Sequence, residues 1–520
     1  MKWTSVSKAP GAWLCASLVW AGLAGCEDVW SEAAGVGGAG GDSTGTISAG
    51  GSGAGTTTNI GGCEGFAGDC FDDCGNVYQP SCEDGNYVCP ERFGCKNGAG
   101  TPAVPALWSA GYGGAPGNQS GSGIAVGPTG KIAVAAGFVG GIDFGGGALV
   151  GSEQEMRIAL AQLTPAKVHI WSKVFGGAGV HILTDVDVDG QGNIFVAGIF
   201  DGEIDFGDGP LTGGTVFIAK LDTDGNPVWS KALLAEPSTP IALDVTGDVI
   251  AAVTCSDGAD FGGGPLAGEG SRDACVVALD TDGNHLWSRL VGGPGADEAQ
   301  DVTVGSGGEV VLIGRFEQAF VSPEPIVSNG QTDAFVVSLA ADGAPLWARA
   351  LGGAGNDGAA SVVFDADGPV ISGWYEGAVD FGGGLTSDLG LMGYIVWLDP
   401  VGGYQSGVTF RCEPPVEQAG EVWSKLALEP SGGVVMGAGC LWKVGGSRDV
   451  VFAVYSAAGA LVWGDDAGDE YDQFVSDVAV APSGRILLTG GYGGSPDFGD
   501  GPLPWAQGYD AFVAAFPLSP

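Results

Sequence analysis

The sequence predicts an all-β protein, a seven-bladed β-propeller of four-stranded antiparallel blades preceded by a small Cys-rich segment. Two observations suggest this architecture: a tryptophan recurs at a nearly constant spacing, and each repeat contains four short strand-like runs. The recurring residues are Trp108, Trp171, Trp229, Trp287, Trp347 and Trp463. Successive gaps are 58 to 63 residues, except for the last gap of 116, which is two periods of 58. A fixed period built from strand-like segments indicates one supersecondary unit repeated about an axis.

The composition fits many short strands joined by tight turns. Glycine makes up 99 of the 520 residues, hydrophobic residues 45% and charged residues only 15%. This glycine content has no three-residue period, which excludes collagen, and the apolar content excludes disorder throughout the chain. The formal net charge of −42 repels phosphate backbones, so we expect no nucleic-acid partner. Metal cations, basic proteins and neutral glycans remain compatible with such a surface.

Residues 1–25 have the features of an export signal. Lys2 and Lys8 precede an apolar run over 11–25, which is too short and too interrupted for a membrane-spanning helix. The run ends in Leu23-Ala24-Gly25-Cys26, which resembles the bacterial lipobox. The resemblance implies cleavage before Cys26 and lipid attachment to its sulfur; an ordinary signal peptide with an incidental cysteine is the alternative.

The residue after the lipidation site bears on the membrane to which the protein is sorted. By analogy with lipoprotein sorting, Glu27 is not the aspartate that retains lipoproteins in inner membranes. We therefore expect an outer-membrane protein, at the cell surface or on the periplasmic side. Residues 26–62 are rich in Gly, Ser and Thr and form a flexible linker with a mean reach of about 30–35 Å.

Residues 63–100 form a Cys-rich segment. Its cysteines are Cys63, Cys70, Cys74, Cys82, Cys89 and Cys95. In an exported protein they predict three disulfides, because a segment this short cannot build a core alone. Fifteen pairings are open to six cysteines. A zinc site is the alternative, although the segment has no histidine and no paired C-x-x-C spacing. We expect a spacer or a small interaction module.

The second repeat shows the blade pattern most clearly. Strand-like runs over 184–188, 194–200, 216–221 and 227–233 alternate between tight turns and longer loops, which predicts a four-stranded antiparallel blade. The long loop contains Asp-Phe-Gly, and five of the seven repeats share this motif. Its aspartates are Asp143, Asp205, Asp260, Asp380 and Asp497. We expect the Phe to pack between blades and the Asp to cap a turn.

The two ends of the repeat region predict a closed ring. The last repeat has three strands, whereas residues 106–109 form a fourth strand with no repeat before them. If the N-terminal strand completes the last blade, both exposed sheet edges disappear where the ring closes. The propeller is therefore assigned to residues 105–520.

The repeats resemble those of the seven-bladed β-propeller repeat (SBBP) family of bacterial exported proteins. The resemblance rests on Trp171, Phe175-Gly176-Gly177, Gly192-Asn193, Phe195-Val196-Ala197-Gly198 and Asp205-Phe206-Gly207, with variants in the other repeats. It covers about residues 105–520. Members generally lack an assigned activity, so the resemblance implies a fold more than a function.

Two further disulfides are predicted within the propeller. Cys255 and Cys440 occupy the slot that closes the second strand of their repeats, which is aromatic in the other repeats. Cys275 lies on the strand next to Cys255, so a cross-strand Cys255–Cys275 bridge is expected. Cys412–Cys440 then follows by elimination.

No motif in the sequence indicates catalysis or a cofactor. Residues 222–226 and 280–284 resemble calcium loops, but they are too short and lack the final glutamate, so we interpret them as hairpin turns and keep calcium as the alternative. The histidines His169, His181 and His285 do not suggest a shared metal site, since His169 and His285 lie on different blades. Nucleophile-elbow and zinc-protease motifs are absent.

The sequence favours a monomeric, lipid-anchored, noncatalytic binding scaffold for an unknown protein or glycan. We expect the face with the long loops to be the binding face. A polysaccharide-acting hydrolase or lyase with a site in the central channel is the second possibility, and a purely structural envelope protein the third. A converging acidic pair in the channel would favour the enzyme, but Asp185, Asp187 and Asp301 on the innermost strands do not suggest one.

Overall fold

The computed structural model describes residues 104–519, apart from 114–116, 237–240, 269, 322–324, 411–423 and 442–447, together with four short strands between residues 70 and 88. This part of the chain is all-β and contains no helix. No segment of it is therefore a candidate membrane-spanning helix.

The Cys-rich segment lies in a separate compact unit, Ala24–Asn97. It contains two small antiparallel pairs, β1 (Cys70–Phe71) with β2 (Val77–Tyr78), and β3 (Ser81–Glu83) with β4 (Asn86–Val88). The side chains of its six cysteines lie outside the described residues, as do Cys26, Cys412 and the side chain of Cys440. Lipidation, the three disulfides and Cys412–Cys440 therefore stay predictions.

The propeller begins with β5 (Trp108–Tyr112), followed by seven four-stranded antiparallel blades in chain order. Blade 1 contains β6 (Gln119–Val126), β7 (Ile132–Phe138), β10 (Arg157–Leu163) and β11 (His169–Phe175), with a small hairpin of β8 (Gly141–Ile142) and β9 (Leu149–Val150). Blade 2 contains β12 (His181–Val188), β13 (Ile194–Phe200), β16 (Val216–Leu221) and β17 (Pro227–Leu233), with a hairpin of β14 (Ile204–Asp205) and β15 (Pro210–Leu211). Blade 3 contains β18 (Ala242–Asp244), β19 (Val249–Cys255), β20 (Asp273–Leu279) and β21 (His285–Val291).

The remaining blades repeat the plan. Blade 4 contains β22 (Glu298–Val304), β23 (Val310–Phe316), β26 (Asp333–Leu339) and β27 (Pro345–Leu351), with a hairpin of β24 (Ala319–Val321) and β25 (Pro325–Val327). Blade 5 contains β28 (Asp357–Asp365), β29 (Gly368–Asp380), β30 (Leu385–Leu398) and β31 (Tyr404–Phe410). Blade 6 contains β32 (Ser424–Leu428), β33 (Val434–Leu441), β34 (Arg448–Tyr455) and β35 (Leu461–Ala467). Blade 7 contains β36 (Gln473–Val480), β37 (Ile486–Gly494), β38 (Ala506–Phe516) and β5.

The ring closes as the sequence predicts. The first strands of successive blades contact one another, and β36 of blade 7 contacts β6 of blade 1, so these strands surround the central channel. Strand β5 pairs antiparallel with β38, with Trp108 opposite Ala515 and Tyr112 opposite Ala511. The N-terminal strand therefore supplies the outer strand of the last blade, and no unpaired β38 edge is left at the junction.

The Asp-Phe-Gly motifs have the expected structural role. In each, the Asp Oδ1 accepts hydrogen bonds from the backbone N–H groups two and four residues later, as Asp205 does from Gly207 and Gly209. The five phenylalanines are buried, and Phe206 packs against Phe175 of blade 1 and Phe217 of its own blade. The prediction that the Phe packs between blades and the Asp caps a turn is confirmed.

The tryptophan ladder connects adjacent blades. Each ladder indole N–H donates to the backbone carbonyl two residues after the third strand of the next blade, for example Trp171 to Thr223 and Trp287 to Ala341. Blade 5 has Ser406 in the tryptophan position, opposite Trp397 on the neighbouring strand β30. The Trp397 ring lies against Gly459 of blade 6, as Trp347 lies against Gly402 of blade 5. The missing ladder position is thus filled from the adjacent strand.

Candidate functional site

One candidate site is a cluster of charged side chains in the channel, formed by Asp185, Asp301, Asp477 and Lys425. Each aspartate directly follows a β-bulge in the first strand of its blade. A bulge bends the strand and re-aims the side chain that follows it. Lys425 has the same place in β32. The N–H of Leu426, the residue after it, donates to Ser361 of the preceding blade, just as the N–H of Val362, the residue after Ser361, donates to Asp301.

The three aspartates tie neighbouring blades together. Asp185 accepts hydrogen bonds from the N–H of Val186 on its own strand and from that of Leu243 on blade 3, at 2.8 and 2.7 Å. Asp477 does the same for Val478 and, across the closure, for Ile124 of blade 1, both at 2.8 Å. Each carboxylate therefore satisfies amides of two blades at once.

Asp301 continues the pattern into blades 5 and 6. Its Oδ1 accepts from the N–H of Val302, and its Oδ2 accepts from Ser361 Oγ and from the N–H of Val362, at 2.9 and 3.0 Å. Ser361 Oγ in turn accepts from the N–H of Leu426 at 3.2 Å. The chain of hydrogen bonds thus runs from blade 4 to blade 6.

A second layer of carboxyl groups lies two residues further along the strands. Asp187 accepts from the N–H of Val245 on blade 3 at 3.0 Å, and Asp244 accepts from the N–H of Val304 on blade 4 at 2.8 Å. These two side chains repeat the blade-to-blade contact one layer along the channel.

The charges of the cluster act on one another. Burial alone lowers the pKa of Lys425, but Asp301, Asp185 and Asp477 outweigh it and raise that pKa above its ordinary value. Burial raises the pKa of Asp185 well above its usual range and that of Asp477 to about 6, although Lys425 opposes both shifts. Burial and the neighbouring Asp244 raise the pKa of Asp187 to about 7.

This arrangement limits the chemistry of the channel. Lys425 stays protonated, so it is not a nucleophile. A carboxyl with a raised pKa suits general acid catalysis, but these carboxyl groups already accept backbone hydrogen bonds. Within the described residues, no group of three or more His, Cys, Asp or Glu side chains is placed to hold a metal ion.

The sequence analysis named Asp185, Asp187 and Asp301 on the innermost strands but did not predict that any of them lie close together. In the structure, Asp185 and Asp301 lie with Asp477 around Lys425. A signal was available: Asp-Val-x-Val recurs at residues 185–188, 301–304 and 477–480. Lys425 belongs to no such motif, so only the ring geometry identifies it.

A second candidate site is an aromatic patch on the loop face, formed by Tyr471, Trp505 and Tyr509. Tyr471 lies in the loop that enters blade 7, and Trp505 in the loop before β38. Their side chains are 40% and 62% exposed, and their rings meet edge-to-face with centroids 5.1 Å apart. Exposed tryptophan held rigidly by a second ring is typical of recognition surfaces.

Polar groups surround the aromatic patch. The hydroxyl of Tyr509 donates to Asp472 Oδ2 at 2.9 Å, and Arg448 lies 3.5 Å from the same oxygen. Asp469 Oδ1 accepts from the N–H of Tyr471 at 2.8 Å and holds that loop in place. The patch therefore combines exposed ring faces with carboxylate, hydroxyl and guanidinium groups. Sequence reasoning missed it because none of its three aromatic residues belongs to a repeated motif.

The histidines do not form a site. His169 and His285 lie against the glycines of the Asp-Phe-Gly loops in blades 1 and 3, and their Nε2 atoms lie 3.0 and 3.2 Å from Ser172 and Ser288. His181 is buried, with its Nε2 2.7 Å from the carbonyl oxygen of Glu203.

Two other sequence predictions are confirmed. Asp222 and Asp280 each accept the N–H groups two and four residues later, and each segment closes as a hairpin turn. Cys255 on β19 and Cys275 on β20 form a disulfide.

No protein-family model matches the sequence, and no curated protein matches it. Among solved structures, Sqt1 from Chaetomium thermophilum aligns over 80% of this chain and 100% of its own, with 13% identity and a TM-score of 0.37. The gluconolactonase XC5397 from Xanthomonas campestris aligns over 80% and 100%, with 10% identity and a TM-score of 0.29. A leech intramolecular trans-sialidase aligns over 77% and 67%, with 10% identity and a TM-score of 0.30. We draw no functional conclusion from these identities and TM-scores. The propeller fold is shown by the strand pairing of the chain itself.

Proposed function

We propose that this chain is a noncatalytic binding scaffold of the SBBP type, lipid-anchored at the outer membrane and facing the cell surface or the periplasm. The observation that carries the proposal is the aromatic patch. Trp505 and Tyr471 expose their rings on the long loops of a closed ring, where binding residues are commonly found. The ligand is a protein or a glycan, since both are bound by exposed aromatic rings with polar groups beside them.

A noncatalytic role agrees with the hydrogen bonds of the channel. Asp185, Asp301 and Asp477 accept backbone amides from two blades each. Such carboxylates hold the ring together, whereas a glycoside hydrolase needs one carboxyl to protonate the leaving group and another to act on the sugar or on water.

Ligand capture by the full-length protein tests the binding proposal. We expect Trp505→Ala to reduce capture of envelope proteins or polysaccharides at least tenfold in a pull-down. Val401→Ala is the matched control, because Val401 is 76% exposed in a hairpin turn at the opposite face. Equal capture by both variants would rule out the aromatic patch. Loss of capture at high salt would indicate a basic protein, and salt-resistant capture a glycan.

The polysaccharide-acting enzyme is the second candidate. It is favoured by the raised pKa values of Asp185 and Asp477, since a general acid near neutral pH needs such a shift. The scaffold proposal predicts no release of reducing sugar from envelope polysaccharides by the wild-type protein. If the wild-type protein releases reducing sugar and a folded Asp477→Asn variant does not, the scaffold proposal is wrong and the protein is an enzyme.

The lipid anchor is tested separately. Mass spectrometry of the mature protein is expected to show an N-terminus at Cys26 carrying a diacylglyceryl group. Cleavage before Cys26 without lipid, or cleavage elsewhere, would contradict the anchor and leave the binding proposal untouched.

A further inference from the structure

Two buried carboxyl groups meet below the loop face, where blade 4 joins blade 5. Asp333 is the first residue of β26 and Asp357 the first residue of β28, and both side chains are 0% exposed. The two carboxyl groups lie within reach of each other, and the N–H of Asp357 donates to the carbonyl oxygen of Thr332, the residue before Asp333, at 2.9 Å. A hydrogen bond between two carboxyl groups requires a proton on one of them, because an ionised carboxylate only accepts.

The hydrogen bonds around the pair indicate which oxygen is placed to carry a proton. Asp357 Oδ2 accepts from the N–H of Gly353 at 2.6 Å, and its Oδ1 accepts from the N–H of Glu376 at 3.0 Å. Asp333 Oδ2 accepts from the N–H of Asn329 at 2.7 Å, whereas Asp333 Oδ1 has no hydrogen-bond donor among the described residues. An anionic oxygen without a donor is costly when buried. A proton on Asp333 Oδ1, with Asp357 as the acceptor, would therefore relieve this cost.

Among the described residues, the groups that act most strongly on the pair include no cation. The charges that act most strongly on Asp357 are those of Asp333 and Glu376, both acidic. The Tyr394 hydroxyl, on β30, also faces Asp357, and the hydroxyl of Ser328 and the N–H of Gly330 approach Asp333. Since none of these groups carries a positive charge, a proton is what relieves the repulsion between the two carboxylates.

The same device recurs between blades 3 and 4. Asp297 accepts from the N–H groups of Gly293 and Glu317, as Asp357 does from Gly353 and Glu376. Asp273 begins β20 as Asp333 begins β26, and its charge raises the pKa of Asp297. A Cβ on Gly292 would contact both carboxyl groups, so they flank the same backbone atom. The charged groups nearby are Glu317 and Glu298, the latter paired with Arg272 and Arg315.

Blades 6 and 7 contain a neutral counterpart of the pair. A Cβ on Gly468 would contact both the carboxyl of Asp449 and the amide oxygen of Gln473. Gln473 stands where Asp357 stands in blade 5, opposite the last aromatic residue of the second strand. An amide in this position indicates that the junction requires one uncharged member.

We propose that Asp333 and Asp357 hold one proton between them at mildly acidic pH and act as a pH-sensitive latch that stabilises the loops of blades 4 and 5. Asn329, in the loop before β26, and Gly353, in the loop before β28, both donate to the pair. Loss of the proton leaves two adjacent carboxylates and loosens both loops. The latch lies on the face proposed for binding but at a different junction from the aromatic patch, and it stands without that proposal.

The direction of the pH effect follows from the pKa shifts. Burial raises the pKa of Asp357 from 3.8 to about 6, and it also raises that of Asp333. A group whose pKa is higher in the folded state contributes stability below its unfolded pKa, and that contribution is lost as the pH rises through the folded value. The pair titrates as a unit. Its stabilisation is thus complete near pH 4 and lost above about pH 6.

Asp333→Asn in the full chain tests the latch. The Asn carbonyl keeps the bond from Asn329, and its NH₂ takes the place of the protonated oxygen and donates to Asp357. We expect the Tm at pH 8 to exceed that of the wild type by roughly 1–4 °C, with no gain at pH 5. Asp357→Asn is the matched control: its NH₂ would face a backbone N–H, so the Tm is expected to fall at both pH values.

Two further measurements make the outcome decisive. The infrared band of protonated carboxyl groups at pH 6 should be smaller in Asp333→Asn than in the wild type. Asp273→Asn, at the junction of blades 3 and 4, should show the same smaller band and the same gain in Tm at pH 8. A Tm lowered at pH 8 by both of these substitutions, with an unchanged carboxyl band, would overturn the proposal. So would a wild-type Tm at pH 7 that EDTA lowers and Ca²⁺ restores, because a cation would then hold the pair.

Discussion

At the scale of single residues, Trp397 shows how a repeat tolerates a missing side chain. The ladder tryptophans use both the ring and the N–H: the ring covers a glycine of the next blade, and the N–H binds a carbonyl. Trp397 reproduces only the first of these contacts. It is buried, and its indole N–H has no hydrogen-bond partner in the described part of the chain. The substitution preserves packing between blades 5 and 6 and loses one polar contact.

This difference predicts unequal effects of the same substitution. Trp397→Phe removes an unsatisfied buried donor, whereas Trp347→Phe leaves the carbonyl of Pro400 without its 2.9 Å hydrogen bond. We expect Trp397→Phe to cost about 1 kcal/mol less free energy of unfolding than Trp347→Phe. Denaturant titration of both variants checks this, and equal losses would show that Trp397 has a polar partner after all.

At the scale of elements, the first strands of blades 2, 4 and 7 act as connectors of the ring. In each of them a bulge precedes an aspartate, and that aspartate accepts the amide of the next first strand. Backbone groups that face a channel rather than a partner strand would otherwise depend on water. Carboxylates are well suited to this task because hydrogen bonds to charged acceptors are stronger than those to neutral ones.

Removal of one connector should destabilise the whole propeller. Asp301→Ala leaves the N–H groups of Val302 and Val362 and the hydroxyl of Ser361 without their acceptor. We expect a loss of roughly 2–4 kcal/mol in the free energy of unfolding. Asp342→Ala is the control, since Asp342 caps one N–H in an exposed turn. A loss no larger than that of the control would mean that water replaces the carboxylate.

Lys425 should control the pH dependence of stability. Asp185 and Asp477 have raised pKa values even with the ammonium nearby, and Lys425→Met raises them further. Because a raised folded-state pKa removes stability as the pH rises, we expect the Tm of the variant to fall more steeply than that of the wild type between pH 5 and 8. Thermal melts across this range check it, with Lys131→Met, in a hairpin of blade 1, as the control. Parallel profiles would show that water screens the cluster.

At the scale of the whole molecule, closure depends on a single pair of strands from opposite ends of the propeller. The sheet of blade 7 is completed by β5, and Ser109 donates to Asp500 at 2.5 Å to fix the register. A ring closed by hydrogen bonds rather than by chain connectivity can open at this junction with the loss of one outer strand, that of blade 7.

Gly111→Val should open the junction selectively. A Cβ at Gly111 would overlap the hydroxyl of Tyr492, so the side chain forces β5 away from β37 and β38. We expect faster hydrogen exchange in β5 and β38 while the amides of blades 2 to 5 keep their protection. Gly247→Ala is the control, because a Cβ there meets open space. A uniform loss of protection in every blade would show that the ring unfolds as one unit.

The sequence by itself determined the repeat, the number of blades, the closing strand, the turn residues and the Cys255–Cys275 bridge. Most of these features depend on short-range patterns, since alternation, turn glycines and a fixed period are visible within a few tens of residues. The closing strand follows from the strand count of the first and last repeats. Only the tertiary structure decided the channel cluster, the aromatic patch, the role of Trp397 and the Asp333–Asp357 pair. Asp185 and Asp477 are 292 residues apart, and no local pattern encodes a distance across the ring. Hydrogen bonds and Coulomb forces act over a few ångströms in space, so the partners of a charged side chain become known only when the ring has closed.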